Sequence, residues 1–179
     1  GEAVTLAMAQ VSESIFRALR SVLAFDRLSD DDIRTLQGAM GSATFRNDEY
    51  VSEQGDEGDY FYLITSGEAE VLHFDPNSED QEEILLNVIT TSACFGEKAL
   101  IGRAPRNASI MAKGTLKVNY ISRDEFEAAL GRSLASLQLS HEQQDELRKK
   151  KEEQAPTTLI DKLIEEGPQE QDEVDSNAQ

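Results

Sequence analysis

The stretch FRNDEYVSEQGDEGDYFYLITSGEAEVLHF, Phe45–Phe74, decides the fold class. Its apolar residues follow a period of two, and Gly55, Gly58 and Gly67 punctuate it, the pattern of short strands joined by tight turns. Phe45, Val51, Phe61, Leu63 and Val71 are the expected inward residues. Downstream, DPNSEDQEE (Asp75–Glu83) reads as a polar hairpin loop and ILLNVI (Ile84–Ile89) as the next strand. ASIMA (Ala108–Ala112) and TLKVNYI (Thr115–Ile121) are again strand-like. Short strands at close spacing with glycine turns predict a barrel or sandwich over this part of the chain.

Both flanks change to a helical period. From Val11 to Met40, apolar residues recur three and four apart (Phe16, Leu19 and Leu23, then Ile33, Leu36 and Met40), and Ser29 ahead of three aspartates is an N-cap signal. Two helices joined by a short corner fit this segment. On the other side, Ser122 with Glu125 forms a capping-box signature, and Phe126, Leu130, Leu134 and Leu137 supply an apolar stripe. Gly131 is expected to break or bend that helix. The run HEQQDELRKKKEEQ is charged nearly all round, which suits a solvated helix. Beyond Pro156, residues Leu159, Ile160, Leu163 and Ile164 share one helical face, and Gly167-Pro168 ends it. The acidic end from about Gln169 is expected to be disordered.

A length of 179 residues leaves room for one domain plus extensions, because single cores commonly take about 100–150 residues. The formal net charge of −18 excludes phosphate-directed nucleic-acid binding, which requires a basic footprint. Any anion must therefore be held by a local, built site. No apolar run approaches the roughly 18–20 residues of a membrane span, and the first residues lack the basic flank of a signal peptide. A soluble, cytoplasmic protein is the expectation. Cys94 is the sole cysteine, so no intrachain disulfide forms, and it reads as a small half-buried residue before a turn. His73 and His141 lie far apart with no partner at metal spacing, so no metal is expected. Glu53, Asp56, Glu57 and Asp59 lack the order of a calcium loop and read as a solvated turn. No nucleophile–base pair or catalytic metal set is visible, and no enzyme activity is expected.

The segment CFGEKALIGRAPRNAS, Cys94–Ser109, interrupts the strands with a short helical piece entered through Gly96 and left through Pro105. A helix start behind a permissive glycine presents backbone N–H groups to an anion. Arg106 can bring permanent charge and forked donors. Glu97 beside such a site would repel a phosphate unless a hydroxyl lay between them. The residues alone also allow a plain structural pairing of Glu97 with Arg106.

Phe95, Gly96, Glu97, Ala99, Leu100, Pro105 and Arg106 match the phosphate-binding cassette of the cyclic nucleotide-binding domain family, and Phe45–Gly67 resembles its glycine-punctuated strands. The resemblance runs over about Val11–Leu139. It implies an α+β fold: an eight-stranded antiparallel β-roll, jelly-roll-like, with N-terminal helices, a short cassette helix and C-terminal helices. The corresponding segments are 1–43 for the N-terminal helices, 44–121 for the roll with its cassette at 95–109, 122–166 for the C-terminal helices and 167–179 for the tail. The ligand implied is cAMP or cGMP, with no other cofactor. Glu97 would accept the ribose 2′-hydroxyl with help from the Gly96 backbone. The Lys98 and Ala99 backbone would meet the phosphate, and Arg106 would pair with it. The Lys98 side chain reads as a solvated charge. Asn107 follows the cassette arginine, and Leu86 with Asn87 lies on the strand ahead of the cassette, where cGMP-selective relatives often place an arginine. Two polar amides, Asn87 and Asn107, give a lean to cGMP, as does FGEKAL, which looks most like cGMP-dependent kinase domains. The partner implied is a protein kinase catalytic domain or subunit; a channel, an exchange factor or a non-binding scaffold is the alternative. Asp48 stands where the family often has glycine, and Ser92-Ala93-Cys94 replaces a common Gly-Asp turn. The C-terminal apolar helix, or the one near Leu137–Leu147, would close over the base as a lid or else pack as a fixed element.

Overall fold

In the computed structural model, residues 1–80, 82–134, 146, 149 and 159–168 are described. Two helices lead in, α1 (Glu2–Arg20) and α2 (Asp30–Ala39), with a 3₁₀ turn (Leu23–Phe25) at the corner between them. The strands are β1 (Gly41–Phe45), β2 (Tyr50–Ser52), β3 (Tyr60–His73), β4 (Ile84–Ile89), β5 (Cys94–Phe95) and β6 (Ser109–Ser122). A 3₁₀ turn (Glu97–Leu100) separates β5 from β6, and α3 (Arg123–Leu130) and α4 (Leu159–Glu166) follow.

All strands belong to one antiparallel sheet in the order β1-β6-β3-β4, with β2 on β6 and β5 on β3. Among the described residues there are six strands, not the eight expected. The difference lies in the turn residues. Gly67 and Gly114, at φ of 96° and 69°, do not end strands but sit inside β3 and β6, each 14 residues long. The β3–β6 register shifts between Ile64 and Ser66 and again between Ser66 and Glu68. An irregularity of this kind bends a strand and re-aims its side chains, so one long strand serves where two short ones were expected. ASIMA and TLKVNYI are accordingly one strand.

The re-aiming divides the interior. Ahead of the shifts, strand alternation sends Phe61 and Leu63 into a helical core with Leu19, Phe25, Leu36 and Phe126 and sends Ile64 into the roll; beyond them Ala69 and Val71, odd-numbered like Phe61 and Leu63, join Leu86, Phe95 and Ile110 inside the roll. In the first cluster Phe25 meets Phe61 edge-on at 5.2 Å and stacks on Phe126 at 6.1 Å. Of the expected inward residues, Phe61, Leu63 and Val71 are buried, while Phe45 and Val51 pack from the rim of the roll.

The caps follow the sequence. Ser29 and Asp32 form a reciprocal capping box on α2, and the Ser122 hydroxyl accepts from the Glu125 N–H. Gly131 in the left-handed region ends α3 at Leu130, so Leu134 reaches the helical core from beyond the helix. Leu137, the run HEQQDELRKKKEEQ apart from residues 146 and 149, and the tail after Pro168 lie outside the described residues. Two boundaries move: α1 starts at Glu2 instead of Val11, and the sheet starts at Gly41 instead of Thr44. The first turns of α1 carry Val4, Leu6, Met8 and Val11 exposed, so they form by propensity and not by burial. No helix among the described residues is long and apolar enough to cross a membrane.

Among the described residues two other than glycine hold positive φ, Asp48 at 68° and Ser92 at 78°. These fall at the two departures from the turn residues of the family that the sequence resembles. The Ser92 turn is fixed by its N–H donating to Ile64 O at 2.8 Å. Ser92→Gly should relieve about 1–2 kcal/mol of left-handed strain and lose about 0.5–1 kcal/mol to added chain freedom. A net gain of about 0.5–1 kcal/mol in urea unfolding is expected; an unchanged or lower midpoint would show the turn to be unstrained.

Candidate functional site

The site begins with two loops stitched edge to edge. The Arg106 N–H donates to Asp56 O at 2.8 Å, the Gly55 N–H to Arg106 O at 2.9 Å and the Gly58 N–H to Ala104 O at 3.2 Å. The acidic, glycine-containing loop after β2 therefore serves as a backbone partner for the segment carrying Arg106. Its neighbour Gln54 is bonded too: the side-chain amide donates to Phe74 O at 2.8 Å and accepts from the Phe74 N–H at 3.0 Å, and its backbone N–H donates to the buried Ser109 hydroxyl at 2.8 Å.

Held this way, Arg106 extends between two glycines. A methyl at Gly58 would lie 2.4 Å from Arg106 Nε, and one at Gly96 would lie 2.4 Å from Nη1 and 2.6 Å from Tyr60 O. Both positions must lack a side chain for the guanidinium to fit. One Nη donates to Tyr60 O at 2.5 Å, and the group lies over the Tyr62 ring at 5.9 Å. Tyr62 in turn stacks on Phe95 at 5.0 Å. Burial lowers the Arg106 pKa, opposed by the neighbouring Tyr62, Glu97 and Asp59.

Gly96, at φ 84°, opens the 3₁₀ turn that carries Glu97, Lys98 and Ala99. All of these, with Arg106 and Asn107, line one cleft of about 500 Å³ counting its open mouth. Burial pushes the Glu97 carboxyl up, with nearby Asp161 adding to the effect and Lys98 and Arg106 opposing it. Among the described residues no ion pair within 4 Å joins Glu97 to Arg106, so the plain structural pairing of the two is not how they are held. The Ala99 N–H is engaged with Gly96 O at 3.0 Å, closing the turn, and Leu100 is fully buried in the helical core. The Lys98 side chain is not simply solvated: its Nζ lies 2.9 Å from Asp161 Oδ2.

Leu86 and Asn87 do not line the cleft. Leu86 is buried in the roll core, and Asn87 turns its Oδ1 to the Val88 N–H at 2.7 Å. Residues not expected as site residues also line it, Gly58, Ser52 and Asp161, together with Ile160 of the C-terminal apolar helix that was expected either to cover the base or to pack in place. Among the described residues Ser52 Oγ is the one buried side-chain polar atom with no hydrogen-bond partner. A buried hydroxyl left unsatisfied at a cleft wall is a donor waiting for an acceptor. Gly58 had a signal, being one of the glycines in GDEGD; Ser52 and Asp161 had none.

The arrangement offers an anion a half-buried guanidinium, a glycine-lined approach and an unpaired hydroxyl, with a carboxylate alongside to accept a hydroxyl donor. Cys94 next to it is chemically quiet, since burial, helped by Glu97, pushes its thiol up to about 12.

The chain belongs to the cyclic nucleotide-binding domain family, whose model matches residues 43–133. It is 34% identical over 124 residues to a cAMP-dependent protein kinase regulatory subunit of Mucor circinelloides f. lusitanicus, a match covering 69% of this chain and 28% of the relative. It is 29% identical over 150 residues to a cGMP-dependent protein kinase of Caenorhabditis elegans, covering 83% of this chain and 19% of that one. The regulatory domain of Toxoplasma gondii PKA, in a co-crystal structure with cAMP, matches at TM-score 0.56 and 28% identity over 82% of this chain and 52% of that one. The chain thus spans less than a third of the curated relatives it matches.

The Glu97 position carries a pH signature. A carboxyl raised by burial binds its proton more tightly folded than unfolded, so stability falls as pH rises from the ordinary carboxylate range through the raised value. Glu97→Gln should raise the melting temperature at neutral pH, with the gain vanishing below about pH 4. A variant no more stable than wild type at pH 7 would show that Glu97 ionises without penalty.

Proposed function

We propose that this chain is the ligand-sensing module of a cyclic-nucleotide-regulated protein kinase, binding a 3′,5′-cyclic nucleotide in the cleft and catalysing nothing itself. The observation that carries the reading is the half-buried Arg106 guanidinium in its two-glycine slot, a permanent cation built into a chain of net charge −18. Arg106 pairs with the cyclic phosphate, Glu97 accepts the ribose 2′-hydroxyl, and the Ser52 hydroxyl is positioned to donate to the ligand. The kinase assignment is supported by the names of the relatives, a cAMP-dependent regulatory subunit and a cGMP-dependent kinase.

For the base, Asn107 carries the choice alone, since Asn87 has its carbonyl oxygen engaged and stands outside the cleft lining. The Asn107 amide oxygen can accept from the guanine 2-amino group, which adenine lacks. The module accordingly favours cGMP, by about 1–2 kcal/mol because no charged contact helps.

Calorimetric titration with cAMP, cGMP and guanosine tests the whole reading. Arg106→Ala should cost about 2–5 kcal/mol for either cyclic nucleotide, as expected for removing one partner of a buried charge pair, and leave guanosine unaffected. Equal affinity for cGMP and guanosine in the unmodified protein would overturn it. Asn107→Ala should weaken cGMP by about 1–2 kcal/mol and spare cAMP; equal losses, or tighter binding of cAMP at the outset, would overturn the choice of base alone.

A further inference from the structure

The last helix is seated in the cleft with a negative charge facing the cassette. Leu163 of α4 is 2% exposed and belongs to the roll core, with Leu159, Ile160 and Ile164 packed against the same cluster. That anchoring carries Ile160 and Asp161 into the lining of the cleft that holds Glu97 and Arg106. The Asp161 carboxylate is held by both oxygens. Lys98 Nζ lies 2.9 Å from Oδ2 and 3.3 Å from Oδ1, and the Asn107 amide donates to Oδ1 at 3.1 Å. Lys98 and Asn107 stand at the two ends of the cassette, so one carboxylate bridges the segment that an incoming phosphate must reach.

We propose that Asp161 is an internal competitor for the anion site, and that α4 is a plug which a cyclic nucleotide must displace, not a lid that the nucleotide draws shut. The proposal rests on the ligand reading given above and adds to it the means of control. A carboxylate bridged by a lysine and an amide mimics the ligand's phosphate in charge and in acceptor count. A phosphate entering beside it would stand next to two carboxylates, Asp161 and Glu97, in a partly dehydrated cleft, and like charges there repel strongly. Occupancy by α4 and by ligand are therefore mutually exclusive, and apparent affinity is lowered by the fraction of molecules with the plug seated. The Asp161 charge also bears on Glu97, which it helps hold toward its protonated form.

Two measurements on the full chain separate plug from lid. The first is calorimetric binding of cGMP and cAMP to the unmodified protein and to Asp161→Asn. The amide keeps size and hydrogen bonding but removes the charge, and since the Lys98–Asp161 pair is partly exposed, affinity should tighten by about 3- to 10-fold. The gap between the two proteins should narrow in high salt. The second is hydrogen exchange of residues 159–166, which cyclic nucleotide should accelerate in the unmodified protein. Tighter binding by the variant together with faster exchange supports the plug. Equal affinities, weaker binding by the variant, or slower exchange with ligand overturns it while cyclic-nucleotide binding stands. Absence of binding to either protein overturns the ligand reading and the plug with it.

Discussion

The antiparallel ladder between β3 and β6 is the constraint on which the rest of the molecule depends. Running from Tyr60–Ser122 to Leu72–Ser109, it passes through two register shifts and turns its inward residues from the helical core to the roll core. Every other strand is attached to one of these two: β1 and β2 to β6, β4 and β5 to β3. The site inherits its position from the same pair. Tyr60, at the start of β3, supplies the carbonyl that orients Arg106, and Tyr62 two residues on supplies the ring beneath it. β5 pairs with Tyr62 and Leu63, which brings Gly96 and Glu97 up to the same edge.

Around that edge, burial and charge act against each other. Taking Arg106 and Glu97 out of water disfavours the charged form of each, and neither is satisfied by direct pairing with the other. The stitched backbone of residues 55–58 and 104–106 holds Arg106 in place regardless, with hydrogen bonds that do not involve the guanidinium's remaining donors. Scaffold integrity thus rests on the Arg106 backbone and leaves guanidinium donors uncommitted to it.

What was legible in the sequence was whatever depends on local chemistry. The Ser29 and Ser122 caps, the glycine ends of α3 and α4, the strand Ile84–Ile89 and the cassette residues lining one cleft all follow from short-range preferences or from a specific motif. The strand count was not legible, because a glycine at positive φ serves a turn and an in-strand irregularity equally well, and only cross-strand pairing distinguishes them. Asn87 was placed by counting along a strand, but its amide turned back on its own backbone. Asp161 could not be found from the sequence at all. Its position depends on Leu163 anchoring α4 in a core assembled from β3, β4 and β6, far away along the chain.

Cys94 has a practical consequence. It is the sole cysteine of the chain, half-buried on β5, with its thiol pushed up to about 12. At neutral pH burial keeps such a thiol in its protonated form, and the thiolate is the reactive one. Maleimide or nitroxide reagents will therefore pass over the native residue and modify a cysteine introduced on an exposed surface. A single probe on α4 can report the helix's movement with the wild-type Cys94 left in place.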